Sequence, residues 1–431
     1  MTTLDTEIVQ IPSKEDLKTH ITALDGIRGL AILLVLLVHL SEGFTLGSPV
    51  LNIAKNIAFA GWTGVDLFFV LSGFLITGIL LDSKESDHYF RNFYARRTVR
   101  IFPIYYVTLF SIFVLLPGVL SVFHHLPDRI LRIGQEFNQT RNYWGWYASY
   151  FVDILISWKG FMMPGHFWTL AVEEHFYLVW PLLVYFLRYR SLVLTCVAMI
   201  VGALLLRAVL IPFVSPVAIY VLTPCRMDGL ALGALIALLL RTPGGLQRLK
   251  AAARLILPVT ALIWAGLMLY LDGWWQYGGL AQTVGYSVSI FFYGSFLIMA
   301  LSIKWITSLL SGKTLRFFGK YSYGIYIYHV FPIFYLRPFF SLGKFLHYSV
   351  IRAFVPDTAS VLERKIYLLA DGLLYVTVAL SASVLMALLS WHLLEQPCLR
   401  LKRFFPMNRK AQQIASAQPA QEPQSSAHPV L

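Results

Sequence analysis

About ten stretches of this chain stay apolar over roughly the 20 residues that a helix needs to cross a bilayer. They run over 24–41, 59–81, 101–122, 166–187, 191–213, 220–240, 255–271, 279–303, 321–340 and 366–393. With 57% hydrophobic and only 13% charged residues, and a mean hydropathy of +0.65, so many runs cannot be hidden in one water-soluble core. The expected fold class is therefore an all-α polytopic membrane protein of about ten transmembrane helices. Aromatic residues make up 15% of the chain and are rich in Tyr and Trp, which suits belts at the two membrane interfaces.

The charges orient the bundle. Arg91, Arg96, Arg97 and Arg100 lie between the second and third stretches, Arg188 and Arg190 between the fourth and fifth, and Arg241, Arg248, Lys250 and Arg254 between the sixth and seventh. Lys313, Arg316 and Lys320 precede the ninth, and Arg400, Lys402, Arg403, Arg409 and Lys410 follow the last. The positive-inside rule places these segments and both termini in the cytoplasm, although Arg129, Arg132, Arg141, Arg364 and Lys365 make the outer loops basic too. The net charge of +13 thus reads as inner loops and membrane lipid, and no nucleic-acid partner is expected. Residues 143–158 are apolar as well, but counting them as a span would move Arg241 to Arg254 outside, so a re-entrant or interfacial segment is expected there.

Three parts follow: a cytoplasmic segment over 1–20, a transmembrane domain over 21–397, and a basic tail over 398–431 that becomes disordered from about 411. The polar first twenty residues do not read as a cleaved leader, so the first span is expected to be retained. Cys196, Cys225 and Cys398 lack metal spacing and sit at different depths, so neither a disulfide framework nor a zinc site is expected. Asn138-Gln139-Thr140 is a glycosylation sequon in an outer loop, of consequence only in a host that glycosylates.

The first span, DGIRGLAILLVLLVHL over 25–40, carries two polar side chains that an apolar helix does not need. Eleven steps from Arg28 to His39 turn the helix by about 1100°, close to three full turns, so both share one face. They stand roughly 16 Å apart along the axis, which puts Arg28 at the cytoplasmic boundary and His39 past the midplane. Arg28 is either a snorkelling anchor or a ligand-binding group, and His39 either a helix-packing histidine or a functional one.

Other ionisable groups reach the same depth: Asp66 in the outer part of the second span, and Glu173 and Glu174 about two turns into the fourth. Neighbours on a helix point about 100° apart, so one of the two glutamates is expected to face inward. Each carboxylate either joins His39 in a buried cluster or serves as a structural partner of Arg207 or Arg226. On the inner side, Arg97 and Arg100 stand one turn apart, which suits a phosphate-bearing ligand as well as it suits ordinary loop charge.

These residues lie in motifs. Arg28 and His39, GVDLFFVLSGFLIT (64–77), the arginine run from Arg96 to Tyr105, WTLAVEEHFYLVWP (168–181), CRMDGLALG (225–233), GKYSYGIYIYHV (319–330) and Glu395-x-Pro397 together resemble the acyltransferase-3 family, in its order, over about 20–397. The resemblance implies a membrane enzyme of about ten spans that moves an acyl group, usually acetyl from cytoplasmic acetyl-CoA, onto a hydroxyl of a cell-surface or exported carbohydrate. It implies that Arg28 and His39 are functional and that Arg97 and Arg100 occupy the family's inner arginine motif. One departure is His175, where members commonly carry Gln. Some members add a soluble esterase-like domain after the membrane part, for which the tail here is expected to leave no room.

Residues and resemblance fit one expected mechanism. Arg28, Arg97 and Arg100 hold the phosphates of the acyl-CoA donor, acetyl-CoA or another, and the pantetheine arm runs up the first helix. His39, whose imidazole can take up and give back a proton, serves as general base toward the acceptor hydroxyl. Asp66 or Glu173 orients it as a carboxylate does in a triad; an acyl-histidine intermediate remains the alternative. His329, Arg226 and Asp228 are candidates for the acceptor pocket, His329 alternatively bonding a neighbouring helix. His124, His125, His166 and His347 sit in loops or at span ends, and no metal is expected. The rival readings are a transporter or flippase for a glycan or small solute and a scaffold without chemistry; both share the generic polytopic pattern.

Overall fold

The computed structural model describes residues 22–42, 56–122, 139–271, 276–340 and 360–406. The N-terminal segment 1–20, the sequon residue Asn138, the histidines at 124, 125 and 347, and the tail expected to be disordered lie outside the described residues.

Every described element is helical, as hydrocarbon demands, because only a helix satisfies each backbone N–H and C=O within its own segment. The helices are α1 Thr22–Ser41, α2 Gly64–Asp82, α3 Tyr89–Phe110, α4 Trp144–Ala148, α5 Val152–Lys159, α6 Trp168–Phe186, α7 Tyr189–Leu210 and α8 Pro216–Val221. They continue as α9 Thr223–Leu240, α10 Gly245–Tyr270, α11 Tyr286–Ser302, α12 Lys304–Leu310, α13 Lys313–Tyr328, α14 Val330–Leu336 and α15 Val361–Ser390. Among the described residues eight helices are long and apolar enough to cross a membrane, and the chain is an integral membrane protein. The other two expected stretches are helical as well: α6, which carries Glu173 and Glu174, and α13 with α14. In the stretch 143–158, α4 and α5 are too short to span, yet Tyr147, Val152, Leu155 and Ile156 are buried against the bundle.

Side-chain bonds tie helix ends together. Arg241 at the end of α9 bonds Asp82 at the end of α2 at 2.9 Å, and Lys84 donates to the Val184 carbonyl of α6 at 2.7 Å. At the same end, Thr22 meets Ser311 at 2.9 Å. Arg96 donates to the carbonyls of Lys402 and Phe405, and Asn92 to that of Pro406, so the chain beyond 398 is docked along α3 up to that point. α15 opens with a capping box: the Ser360 hydroxyl accepts from the Glu363 N–H while Glu363 accepts from the Ser360 N–H.

The helix that carries Arg28 and His39 packs with its backbone almost against α13. A Cβ built on Gly29 would lie 1.9 Å from the Leu315 carbonyl oxygen, and one on Gly319 would lie 1.8 Å from that of Asp25. Membrane helices associate through such small-residue contacts because lipid offers no hydrophobic drive between them. Gly319→Ala is therefore expected to lower the unfolding temperature in detergent through overpacking of roughly 1–3 kcal/mol or more. Gly266→Ala, with nothing within 4 Å of its Cβ, should leave it unchanged or slightly raised. Equal melting of both variants and the parent would disprove the close contact.

Candidate functional site

An inner cavity of about 120 Å³ lies between α1, α2, α3, α6 and α13. Arg28, Arg97 and Arg100 all line it, three cations brought together from two helices. The one-turn spacing of Arg97 and Arg100 aims both at the cavity, while Arg96, one residue earlier, faces away and holds the docked tail. Arg28 donates to Asp25 at 2.9 Å, and the Arg97 guanidinium lies 5.3 Å from the Tyr177 ring centre. Glu173 and Glu174 both line the cavity, against the expectation that only one faces inward. The reason is the breadth of the wall, which runs from Ser72 of α2 to Tyr323 of α13, so an arc of 100° on α6 is covered by it. Tyr177 meets Ser72 at 2.5 Å in the same wall, and one oxygen of Glu174 is buried without a hydrogen-bond partner.

A second, outer cavity of about 530 Å³ holds His39 and His166. His39 is half-buried; its Nδ1 lies 2.8 Å from the Val35 carbonyl one turn back. A carbonyl only accepts, so Nδ1 carries a proton, and in the neutral ring the lone pair is on Nε2. The His329 ring stands edge-on to it, centroids 4.9 Å apart, and His166 stands 5.2 Å from His329. The same logic fixes these two: His329 Nδ1 donates to the Tyr326 carbonyl at 2.8 Å, and His166 Nε2 to that of Ile327 at 3.2 Å. The remaining nitrogen of each, His329 Nε2 and His166 Nδ1, is buried without a partner. Three imidazoles thus share one place in the bundle. Among the described residues no group of three or more His, Cys, Asp or Glu side chains is arranged to hold a metal ion.

Of the two readings open for Asp66, a place beside His39 or a guanidinium partner, the second is the one in place. Asp66 accepts from Arg226, Asp228 accepts from Arg207 at 2.6 Å, and all four side chains are buried. Neither Asp66 nor Glu173 is hydrogen-bonded to the His39 ring among the described residues. A carboxylate in hydrocarbon takes the strongest donor in reach, and a guanidinium outcompetes a neutral imidazole. The residues expected at an acceptor pocket lie apart from the outer cavity. Arg226 is enclosed by aromatic rings, Tyr286 at 4.3 Å, Tyr220 at 5.3 Å and Trp168 at 5.6 Å, and the last two form the cavity wall in front of it. Arg226, Asp228 and His329 are absent from the outer cavity's lining.

The sequence profile of an acyltransferase domain matches residues 21–394. The chain belongs to the acyltransferase-3 family. It is 28% identical over 342 residues to a peptidoglycan O-acetyltransferase of Listeria monocytogenes, a match that covers 73% of this chain and 50% of that protein. A candidate peptidoglycan O-acetyltransferase of Bacillus subtilis is 26% identical over 353 residues, 77% of this chain and 51% of that one. A candidate O-acetyltransferase of Staphylococcus aureus is 27% identical over 346 residues, 75% of this chain and 52% of its own length. The chain thus spans about half the length of the curated relatives it matches. No solved structure matches it significantly.

In this acyltransferase-3 chain, sequence reading left His166, Thr169 and Tyr326 out of the candidate site. His166 lies just ahead of the WTLAVEE motif and Thr169 within it, but a residue at a span end shows nothing of its depth until the helices are packed. His175 sits outside both cavities and bonds the Thr223 hydroxyl at 2.7 Å, which in turn donates to Asp153.

Proposed function

We propose that the chain is an integral-membrane O-acyltransferase, of the bacterial inner membrane, that takes an acyl group from cytoplasmic acyl-CoA, acetyl-CoA first among donors. The acceptor is a hydroxyl of an exported or cell-surface carbohydrate. One observation carries this reading: an arginine-lined inner cavity and a histidine-lined outer cavity abut, sharing Val65, Thr169 and Tyr326 as wall residues. A donor with phosphates at one end and a thioester at the other fits that polarity, and the roughly 16 Å between Arg28 and His39 is comparable to an extended pantetheine arm. The outer cavity offers Trp62, Trp168, Tyr220 and Tyr277 beside Glu42, Gln139 and Gln276, flat rings and hydrogen-bonding tips of the kind that grip a sugar. The names of the relatives in Listeria and Bacillus make a peptidoglycan hydroxyl the favoured acceptor.

His39 Nε2 takes the proton of the acceptor hydroxyl, whose oxygen attacks the thioester carbonyl. The carbon–sulfur bond breaks, and the departing thiolate receives the proton that His39 took. The Val35 carbonyl, in place of a carboxylate, holds the tautomer and accepts from Nδ1–H of the imidazolium. Arg97 and Arg100, with Arg28, hold the phosphates.

The test is donor binding. Acetyl-CoA should stabilise the detergent-purified protein against heat, as any ligand of the folded state does. The Arg97→Ala/Arg100→Ala double variant should weaken affinity by about 10² to 10⁴-fold, given ~1.5–3 kcal/mol for each charge-assisted contact. No stabilisation of the parent by any acyl-CoA would turn the reading toward a transporter.

A further inference from the structure

We infer that Tyr326, Thr169 and Val65 form the passage between the two cavities and limit the size of the acyl group that reaches His39. The inference rests on the acyl-CoA reading above and deepens it by naming short acyl groups as the substrate class.

An acyl group carried from the arginine-lined cavity to His39 has to pass the residues that both cavities share, and these are Val65, Thr169 and Tyr326. Tyr326 is held at both ends. Its hydroxyl donates to the His166 carbonyl at 2.9 Å and meets the Thr169 hydroxyl at 2.5 Å, and its own carbonyl accepts from His329 Nδ1 at 2.8 Å. Thr169 Oγ1 is in turn 3.2 Å from the His166 carbonyl, so the two hydroxyls converge on a single oxygen. Phe68, another wall residue of the inner cavity, stands edge-on to the Tyr326 ring at 6.3 Å. The ring is thus pinned beside the passage by neutral hydrogen bonds.

A pinned ring in the wall that both cavities share discriminates by length. Each methylene beyond acetyl has to displace Tyr326 or break its tether, whereas the two-carbon group asks for the least room. Pockets of this kind separate substrates that differ by one methylene by roughly 10- to 200-fold. Thr169→Ala removes one of the two partners of the Tyr326 hydroxyl together with a methyl group, leaving the bond to the His166 carbonyl, and Val65→Ala widens the shared wall without removing a side-chain hydrogen bond.

The experiment measures kcat/KM for acetyl-, propionyl-, butyryl- and hexanoyl-CoA, read as release of free coenzyme A thiol, with water and then a muropeptide digest as acceptor. The parent, Thr169→Ala and Val65→Ala are compared, with unfolding temperature and unacylated coenzyme A affinity as controls. The parent should favour acetyl-CoA over butyryl-CoA by about 10-fold or more, and each variant should raise the butyryl-to-acetyl ratio by about 10-fold. Coenzyme A affinity should stay at the parent's value. A parent that turns over all four donors alike overturns the inference and leaves the acyl-CoA reading standing. So does a variant with normal melting and coenzyme A affinity but an unchanged ratio. Should Thr169→Ala fail to fold, Val65→Ala decides alone. A parent that neither binds nor turns over any acyl-CoA overturns both.

Discussion

His39→Ala should lose about 10² to 10⁴ in the rate of acyl transfer while still binding the donor. The magnitude is that of a lost general base, because Nε2 is the nitrogen left with a free lone pair when Nδ1 donates to the Val35 carbonyl. Folding should survive, since the ring is half-buried at the cavity wall and its bond is made within its own helix turn. Purified parent and variant are compared for transfer from radiolabelled acetyl-CoA, for coenzyme A affinity and for unfolding temperature. Near-wild-type transfer would remove His39 from the chemistry and turn attention to His166, whose bare nitrogen sits in the same cavity group. A loss of activity matched by lost coenzyme A affinity or early melting would instead mark a structural role.

Arg226→Met should have the largest effect on stability, about 3–5 kcal/mol, because it strips Asp66 of its cation inside the bundle. Asp66 could then reach neither solvent nor a second free guanidinium, since Arg207 is already bonded to Asp228 and to the Cys225 carbonyl. Pairing the change with Asp66→Asn should recover part of the loss, and a double-mutant cycle on unfolding in detergent measures the coupling. A variant that melts with the parent but no longer uses its acceptor would restore Arg226 to the acceptor site. One that melts early and is rescued by the double change would fix it as a structural ion pair.

Much of the arginine-lined cavity was legible in the sequence. Arg28 and His39 sit on one helix, so helical periodicity alone places them on one face at a known separation, and the same holds for Arg97 and Arg100. Both relations are local, within about three turns. The roles of Asp66, Glu173, Arg226 and Asp228 depended instead on which helices meet: sequence left Asp66 a choice between His39 and a guanidinium, and packing pairs it with Arg226, and Asp228 with Arg207. Glu173 and Glu174 illustrate the same limit: their 100° divergence was read correctly, but the breadth of the wall facing them was not. His166 was passed over because it lies at a span end in sequence, 127 positions from His39 and 163 from His329, and only packing brings the three rings together.

The sequence by itself determined the solvent, the helical fold class and the family, because partition into a bilayer is a sum over windows of about 20 residues and motif order survives without coordinates. Only the tertiary structure decided which buried charges neutralise each other, that three histidines share one cluster, and that two cavities meet at Thr169 and Tyr326. Those outcomes hang on contacts of a few ångströms between helices far apart in the chain. Local periodicity carries no information about such distances, and the close glycine contact of Gly29 and Gly319 is what sets one of them.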